Sequence, residues 1–272
     1  MRIGIALRTM GDAARADLLI GGAQRAEALG LDSVWVVDHI AIPPDDAEGS
    51  GGLYLDPLST LGWIAGQTRR VQLGTAVLIL PYRPALPTAK VLATLQALSG
   101  ERLVIGTGIG WMKAEFKAVG VPRSQRARIA DATLAFLREC FANEVVQSHG
   151  QPLLFRPRPK APPFLVGGAA PHAIERALNL GDGWLPMNLN PAKLAPLAAD
   201  YRRRAEERGL PVPRIATFLG GPLPGKPRDL AEARAQVCAF AEAGATDLIV
   251  SGRYSDAAGQ AALLDFAGAL VQ

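Results

Sequence analysis

Short apolar segments alternate with longer amphipathic segments along the chain. The short segments predict eight β-strands, at residues 2–7, 33–37, 71–77, 103–106, 164–166, 183–185, 215–218 and 247–250. The longer segments repeat apolar residues at helical spacing and predict helices between the strands. Such alternation is typical of βα units around a parallel sheet. Eight units in 272 residues predict an α/β fold of the (β/α)8 TIM-barrel type, with residues 1–272 as a single domain.

Two segments interrupt this alternation. Residues 144–155 have apolar and polar residues on both sides of His149-Gly150, which predicts a small β-hairpin after the fourth unit. Residues 41–55 are rich in Pro, Asp, Gly and Ser and predict a long mobile loop. Loops of that length are often active-site lids.

The amino-acid composition argues against some classes of function. The 29 basic residues stand against 25 acidic ones, and the densest basic run, 202–204, precedes acidic residues as on a solvated helix face. We therefore expect no nucleic-acid binding. No apolar run approaches the roughly 20 residues that span a bilayer, and the start of the chain does not resemble a signal peptide, so we expect a cytoplasmic protein. Cys140 and Cys238 are expected to be buried, reduced packing residues.

Unusual polar and small residues gather after the predicted strands. In a TIM barrel this end carries the active site. The candidate site residues are Asp38 and His39 after the second strand, Tyr82 after the third, Gly106, Thr107, Gly108, Ile109, Gly110 and Trp111 at the fourth, Gly167, Gly168, Ala169 and Ala170 after the fifth, Asn188 after the sixth and Arg253 after the eighth.

His39 is the candidate for proton transfer, because imidazole exchanges protons near neutral pH. The alternative is a structural histidine. Asp38 precedes it, so the two side chains would point to opposite faces of a strand and form no simple pair. We expect His149 to be exposed and inert, whereas His172 fits either a ligand contact or a plain surface position.

Two glycine-rich segments suggest ligand contacts. Residues 106–110 would present bare backbone to a ligand beside Trp111, or would simply form a tight turn. Residues 167–170, followed by Pro171 near the first helical position, would offer free N–H groups to a phosphate. A tight βα turn is the alternative. Phosphate sites in barrels usually follow strands seven and eight, so a cradle after strand five is unusual.

Three other chemistries find little support in the sequence. No His-x-His or Cys-x-x-Cys pair indicates a metal site, and three scattered histidines do not form a ligand set. No G-x-S-x-G elbow indicates a serine hydrolase. The glycines follow a G-x-G-x-G spacing in the middle of the chain, which does not match a Rossmann dinucleotide site.

Four segments together resemble the bacterial-luciferase-like superfamily of TIM-barrel oxidoreductases, and especially its short members described as F420-dependent oxidoreductases. They are GLDSVWVVDHI, LGTAVLILPYRPALPTAK, LATLQALSGERLVIGTGIGWMKAEFKAVG and FLVGGAAPHAIERALNLGDGW, within residues 3–190. The resemblance implies FMN or F420 at the C-terminal face, a homodimer, and a bulge that often contains a non-proline cis peptide, here at Ala76-Val77.

The resemblance also implies roles for the candidate residues. The series 106–110 would line the cofactor together with Asp38, and residues 167–170 would bind its phosphate. His39 matches a position that aids proton transfer in several F420 enzymes. From their positions alone, Tyr82, Asn188 and Arg253 would contact substrate, and Trp111 would form a wall of the substrate pocket. Some F420-dependent dehydrogenases carry a glutamate directly after the glycine series, but this chain has Trp111 there, which assigns proton transfer to His39.

The expected function is therefore hydride transfer or monooxygenation of a small organic substrate by reduced F420 or FMN. Two alternatives remain. One is a cofactor-binding barrel without turnover, and the other is a non-redox barrel enzyme that acts on a phosphorylated metabolite.

Overall fold

Eight parallel strands close into a barrel in the computed structural model, which describes residues 1–219 and 229–271, and this confirms the predicted TIM-barrel fold. Neighbouring strands around the barrel follow the order β1, β10, β9, β8, β7, β4, β3, β2. The barrel strands are β1 (Arg2–Ala6), β2 (Ser33–Val36), β3 (Gln72–Ile79), β4 (Leu103–Gly108), β7 (Phe164–Gly167), β8 (Gly183–Leu185), β9 (Arg214–Leu219) and β10 (Asp247–Val250).

The helices lie between successive strands and cover the barrel. They are α1 (Ala16–Ala28), α2 (Pro57–Gln67), α3 (Ala85–Leu98), α4 (Lys113–Ala118), α5 (Arg126–Ala142), α6 (His172–Leu180), α7 (Pro191–Glu207), α8 (Leu230–Glu242) and α9 (Ala257–Ala269). Several begin where a short polar side chain caps the first turn. Asp56 accepts a hydrogen bond from the Ser59 N–H at 2.8 Å, and Asn190 accepts one from Lys193 at 2.9 Å.

The predicted hairpin is present outside the barrel. Strands β5 (Val145–Ser148) and β6 (Gln151–Leu154) pair antiparallel. His149 and Gly150 form the turn, both with positive φ. His149 is exposed, as expected.

The interior of the barrel is packed and leaves no channel for a ligand. Trp35, Val104, Leu165, Leu185 and Ile249 form its fully buried centre. A second, larger core lies between the strands and the surrounding helices. A ligand must therefore bind at an end of the barrel, where side chains leave this packing.

Charged side chains close the N-terminal end. Asp247 on β10 is almost completely buried and accepts hydrogen bonds from Arg2 on β1 and Arg214 on β9. Arg214 also donates to Gln72 on β3 at 3.0 Å. Burial opposes ionisation of Asp247, but the two guanidinium groups outweigh it and lower the pKa of this carboxyl. This network joins the adjacent strands β1, β10 and β9 and reaches across the end of the barrel to β3.

The two cysteines differ from each other. Cys140 is buried on α5 as predicted, and burial raises the pKa of its thiol to about 11. The prediction for Cys238 is wrong, because this residue is exposed on α8. In the part of the chain that the structure describes, no helix combines the length and the apolar character needed to cross a membrane.

Candidate functional site

Asp38 fastens the end of β2 to the end of β3. Its carboxylate is fully buried and accepts a hydrogen bond from the Ile79 N–H at 2.8 Å. Arg83 donates to both of its oxygens, at 2.5 and 2.9 Å. Burial raises the pKa of the Asp38 carboxyl, and the bonds from Arg83 and Ile79 oppose that shift. The predicted cofactor contact of Asp38 stays a prediction; in this structure the partners of its carboxylate are Ile79 and Arg83.

Arg83 links this point to a further element. Its guanidinium also donates to Asp56 at 2.9 Å, and Asp56 is the residue that caps α2. Burial opposes protonation of Arg83, but its two carboxylate partners outweigh that effect and raise its pKa. The segment 39–55, which includes the predicted lid at residues 41–55, therefore begins and ends next to partners of one guanidinium.

The lid segment also contacts the loop after β1. Met10 forms a β-bridge with Tyr54, and the Leu55 N–H donates to the Thr9 carbonyl at 2.9 Å. These contacts place the Tyr54 ring against His39, with ring centroids 4.8 Å apart. The mobility of this loop stays a prediction.

Glu115 is a fully buried carboxylate beneath His39. It accepts hydrogen bonds from the Ile40 N–H at 2.7 Å and from the Tyr82 hydroxyl at 3.0 Å, and its Oε2 lies 2.9 Å from His39 Nδ1. The Ala41 N–H also points to it, at 3.2 Å. A carboxylate accepts but does not donate, so the proton of this contact belongs on His39 Nδ1. Nε2 is then the nitrogen left to exchange a proton.

His39 itself is partly accessible. Its side chain is 16% exposed, and Nε2 has no hydrogen-bond partner among the described residues. The ring packs against Tyr54 and meets the edge of Trp111 at a centroid distance of 6.2 Å. The separate partners of Asp38 and His39 agree with the expectation that they form no pair.

Tyr82 supports the site from below. It is buried, packs edge-on against Phe116 at 5.0 Å, and donates its hydroxyl to Glu115. Burial and the negative charge of Glu115 raise the pKa of this hydroxyl far above its ordinary value, so it remains a donor at neutral pH. The predicted substrate contact of Tyr82 stays a prediction; in this structure its hydroxyl positions Glu115.

The end of β3 carries the expected bulge. The Ala76-Val77 peptide is cis, and the pairing register with β4 shifts between Thr75 and Leu78. The Val77 side chain projects between the ends of β4 and β7. A Cβ at Gly108 would overlap Val77, and a Cβ at Gly167 would lie 2.6 Å from it.

These glycines therefore have a packing reason that the sequence did not reveal. Gly106, Thr107 and Gly108 are buried within β4 and do not present open backbone, because the bulge of β3 fills that side. A Cβ at Gly106 would overlap the Thr75 carbonyl. Ile109 and Gly110 are partly exposed, so their predicted contact with a cofactor stays open to test.

Residues 167–170 form a turn between β7 and α6. Gly168 donates its N–H to the Leu185 carbonyl at 3.3 Å and accepts a hydrogen bond from Trp184 Nε1 at 2.8 Å. The N–H groups of Ala169 and Ala170 have no partner within the described residues. They border a cleft of about 300 Å³, and both can donate to an anion there.

The remaining candidates lie around the rim. Trp111 is 65% exposed, and Asn188 and Arg253 are exposed after β8 and β10. His172 is exposed in the first turn of α6. Nothing in the described part of the chain groups three or more acidic, histidine or cysteine side chains as metal ligands would be grouped.

Glu115 was missed at the level of sequence. It lies on α4, a short helix that the strand and helix pattern did not include. One signal could have found it, because Glu115 shares a helical face with Met112, Phe116 and Val119. A single acid on an otherwise apolar face is typically buried with hydrogen-bond partners.

Several known proteins are similar in sequence to this chain. The model of the luciferase-like monooxygenase family matches residues 1–267. An uncharacterised protein of Mycobacterium tuberculosis is 30% identical over 209 residues, which is 70% of this chain and 72% of that protein. An F420-dependent glucose-6-phosphate dehydrogenase of Kineococcus radiotolerans is 35% identical over 175 residues, which is 60% of this chain and 50% of that enzyme.

Solved structures share the whole fold. A monooxygenase from Streptomyces bottropensis superposes with a TM-score of 0.80 at 20% identity and 98% coverage of both chains. An F420-dependent secondary alcohol dehydrogenase in complex with an F420-acetone adduct gives 0.77 at 18% identity, with 99% of this chain and 98% of that chain covered. At these identities the likeness concerns the fold. With the family match over residues 1–267, the barrel and the bulge at the end of β3, the chain belongs to the luciferase-like monooxygenase family.

Proposed function

We propose that this protein is an oxidoreductase that binds the deazaflavin F420 at the C-terminal mouth of the barrel and transfers a hydride to or from a small organic substrate. The observation that carries the proposal is the combination of the Val77 bulge, flanked by Gly108 and Gly167, with His39 held by a buried Glu115 at the same end. Relatives whose names state F420 dependence favour F420 over FMN.

The residues at the mouth fit a planar ring with a phosphate. Val77 is partly exposed and has no neighbouring side chain at Gly108 or Gly167, which makes an apolar floor for a ring. The free N–H groups of Ala169 and Ala170 suit a phosphate oxygen at the start of α6. When bound there, reduced F420 would supply the hydride, which is chemistry that no side chain provides.

His39 would move the accompanying proton. Glu115 and His39 Nδ1 together fix the ring, so Nε2 is the atom that exchanges a proton with the substrate oxygen. Trp111 and Tyr54 pack around the imidazole and would restrict water at the reacting atoms. Tyr82 and the Ile40 N–H hold the carboxylate in place.

The first test is titration of the purified chain with F420 and with FMN, followed by fluorescence. We expect a micromolar dissociation constant for F420 and affinity at least tenfold weaker for FMN. Tighter binding of FMN would assign the site to a flavin. Micromolar affinity for neither would contradict the proposal, and protection against heat by a phosphosugar instead would favour the non-redox alternative.

The matched variant is His39→Ala. We expect its F420 affinity to stay within about threefold of the original, while the rate of cofactor oxidation with small carbonyl compounds falls by about 100-fold or more, as is usual on loss of a general acid. An unchanged rate would show that His39 does not carry the proton. Cofactor binding with no measurable oxidation in the original chain would favour the alternative of a cofactor-binding barrel without turnover.

A further inference from the structure

Two arginines at the mouth of the barrel have no partner for their charge within residues 1–219 and 229–271. Among the described residues, Arg8 and Arg253 are the arginines whose guanidinium groups donate no hydrogen bond, whereas the others bind carboxylates, side-chain amides or carbonyl oxygens. Arg8 is half-buried, and its Nε is inaccessible to solvent and unpaired. Leaving a buried charged donor unpaired is costly, so Arg8 needs a compensating partner, and an anionic ligand at the mouth would supply one.

The course of β1 directs Arg8 to the inside of the mouth. Ala6 packs with the cluster in the barrel interior, and Leu7 packs in the outer core between strands and helices. The chain stays extended beyond Ala6, because the Leu7 N–H donates to the Trp35 carbonyl at 2.8 Å. Side chains alternate along an extended chain, so Arg8 is on the same face as Ala6.

Arg253 leaves the barrel beside Arg8. Ile5 on β1 lies opposite Val250 on β10, so the residues three positions further along each chain emerge at neighbouring points of the rim. The segment after β10 is also tied to Arg8 directly, because the Tyr254 hydroxyl accepts the Arg8 N–H at 2.9 Å. On its other side β1 pairs with β2, the strand that leads to His39.

We propose that Arg8, assisted by Arg253, binds an anionic group of the substrate, either a carboxylate or a phosphate. This inference rests on the proposed function. The strand order puts β1 four strands from β7, so Arg8 lies across the mouth from the free N–H groups of Ala169 and Ala170. The cofactor phosphate is assigned to that opposite side, which leaves the guanidinium pair for the molecule that reacts beside His39. A guanidinium binds either anion through two parallel N–H donors.

The experiment is a calorimetric titration of the F420-loaded protein with inorganic phosphate and with succinate, in which the cofactor already occupies the opposite cradle. We expect saturable binding of at least one anion, weakened tenfold or more by Arg8→Gln and by a smaller factor by Arg253→Gln. Arg8→Lys keeps the charge without the paired donors, so its anion affinity should lie between that of the original protein and that of Arg8→Gln. Arg15→Gln removes an exposed arginine paired with Asp17 on the outer surface and should leave the affinity unchanged.

Two results would overturn the inference. One is anion affinity in Arg8→Gln within twofold of the original protein, in a variant whose urea unfolding shows that it is folded. The other is a tenfold loss of F420 affinity in the same variant, which would assign the guanidinium to the cofactor. If the original chain binds no F420, the proposed function fails, and the same titration of the unloaded chain still decides whether Arg8 binds the anion. If Arg8→Gln does not fold, the anion and F420 affinities of Arg8→Lys are compared with those of the original protein instead.

Discussion

Glu115 accepts hydrogen bonds from groups on two separate segments, residues 39–41 after β2 and Tyr82 after β3. Its carboxylate therefore sets both the position and the tautomer of His39. A carboxylate suits this place because every neighbour is a donor. The same property makes the residue hard to replace, since an amide of equal size brings its own donors.

We predict that Glu115→Gln lowers the free energy of unfolding by about 1–3 kcal/mol, because at least one buried donor loses its acceptor. The variant should also populate both neutral tautomers of His39, whereas the original protein keeps the proton on Nδ1. Urea unfolding measures the first effect, and imidazole ¹⁵N chemical shifts measure the second.

Glu206→Gln is the matched control, since Glu206 is exposed on α7. It should change the free energy of unfolding by less than about 0.5 kcal/mol. Equal stability of Glu115→Gln and the control, or an unchanged His39 tautomer, would contradict the assigned role of Glu115.

At the scale of elements, the bulge of β3 depends on the glycines of its neighbours. Val77 fills the space that side chains at Gly108 and Gly167 would otherwise take. The three positions are therefore coupled, although they lie on three different strands. This coupling explains why the glycines occur near a predicted ligand site without being exposed themselves.

We predict that Gly108→Ala destabilises the protein by about 1–3 kcal/mol, the usual cost of inserting a methyl group into a packed site. Val77→Ala should remove most of this cost in the double variant, because the overlapping methyl groups are gone. A double-mutant cycle by urea unfolding measures the coupling.

Gly66→Ala tests whether the effect is specific. Gly66 lies inside α2 with nothing within 4 Å of an added Cβ, so this change should stabilise the protein by about 0.5–1 kcal/mol. If Gly108→Ala and Val77→Ala proved additive, the packing role of the glycine would be wrong.

The elements were largely predictable, and their ends were less so. All eight barrel strands follow from β-branched and apolar segments, because each is buried on both faces. The pattern ended β3 at Val77, whereas the strand continues to Ile79, because a bulge inserts residues that a period-two pattern does not show. Helix α4 has only six residues, so its helical spacing is visible only when the flanking Met112 and Val119 are included.

The site was predictable where its residues follow strands, and not where it depends on contacts between distant residues. His39 and the turn at 167–170 were found because strand ends are visible in the sequence, whereas the bulge was expected from the family resemblance. Glu115 lies 76 positions from His39, and only the closed barrel brings the two together. Arg8 was not identified from the sequence, because only the folded structure shows that its guanidinium has no partner among the described residues.

At the scale of the whole molecule, the barrel closes between β1 and β10, the strands farthest apart in sequence. Arg2 and Asp247 lie opposite each other in this seam, and Arg214 joins them from β9. Because the seam links residues 245 positions apart, its ion pairs form only when the barrel is complete.

We predict that Asp247→Asn destabilises the protein by about 3 kcal/mol at neutral pH, because it leaves the arginines without their buried counter-charge. The pKa of Asp247 is lowered in the folded state, so its contribution is complete above the ordinary carboxyl pKa, about 4, and is lost as the pH falls through the lower folded value. Urea unfolding between pH 3 and pH 7 measures both effects.

The difference in the free energy of unfolding between the original protein and Asp247→Asn should therefore shrink below about pH 4. Asp17→Asn, at an exposed ion pair on α1, should show only a small difference throughout this range. This difference for Asp247→Asn in the free energy of unfolding could instead stay constant down to pH 3. That result would exclude an ionised Asp247 as the source of the stability.

Arg83 has a consequence for how this barrel can diversify. Because its guanidinium binds Asp38 before the 39–55 loop and Asp56 after it, both ends of the loop are set by a residue outside the loop. Segments of different length and sequence can then be exchanged at residues 42–53, between the contacts of His39 and those of Tyr54, while β2, β3 and α2 keep their places. The loop is thus a grafting site, where new substrate preferences can arise without rebuilding the scaffold.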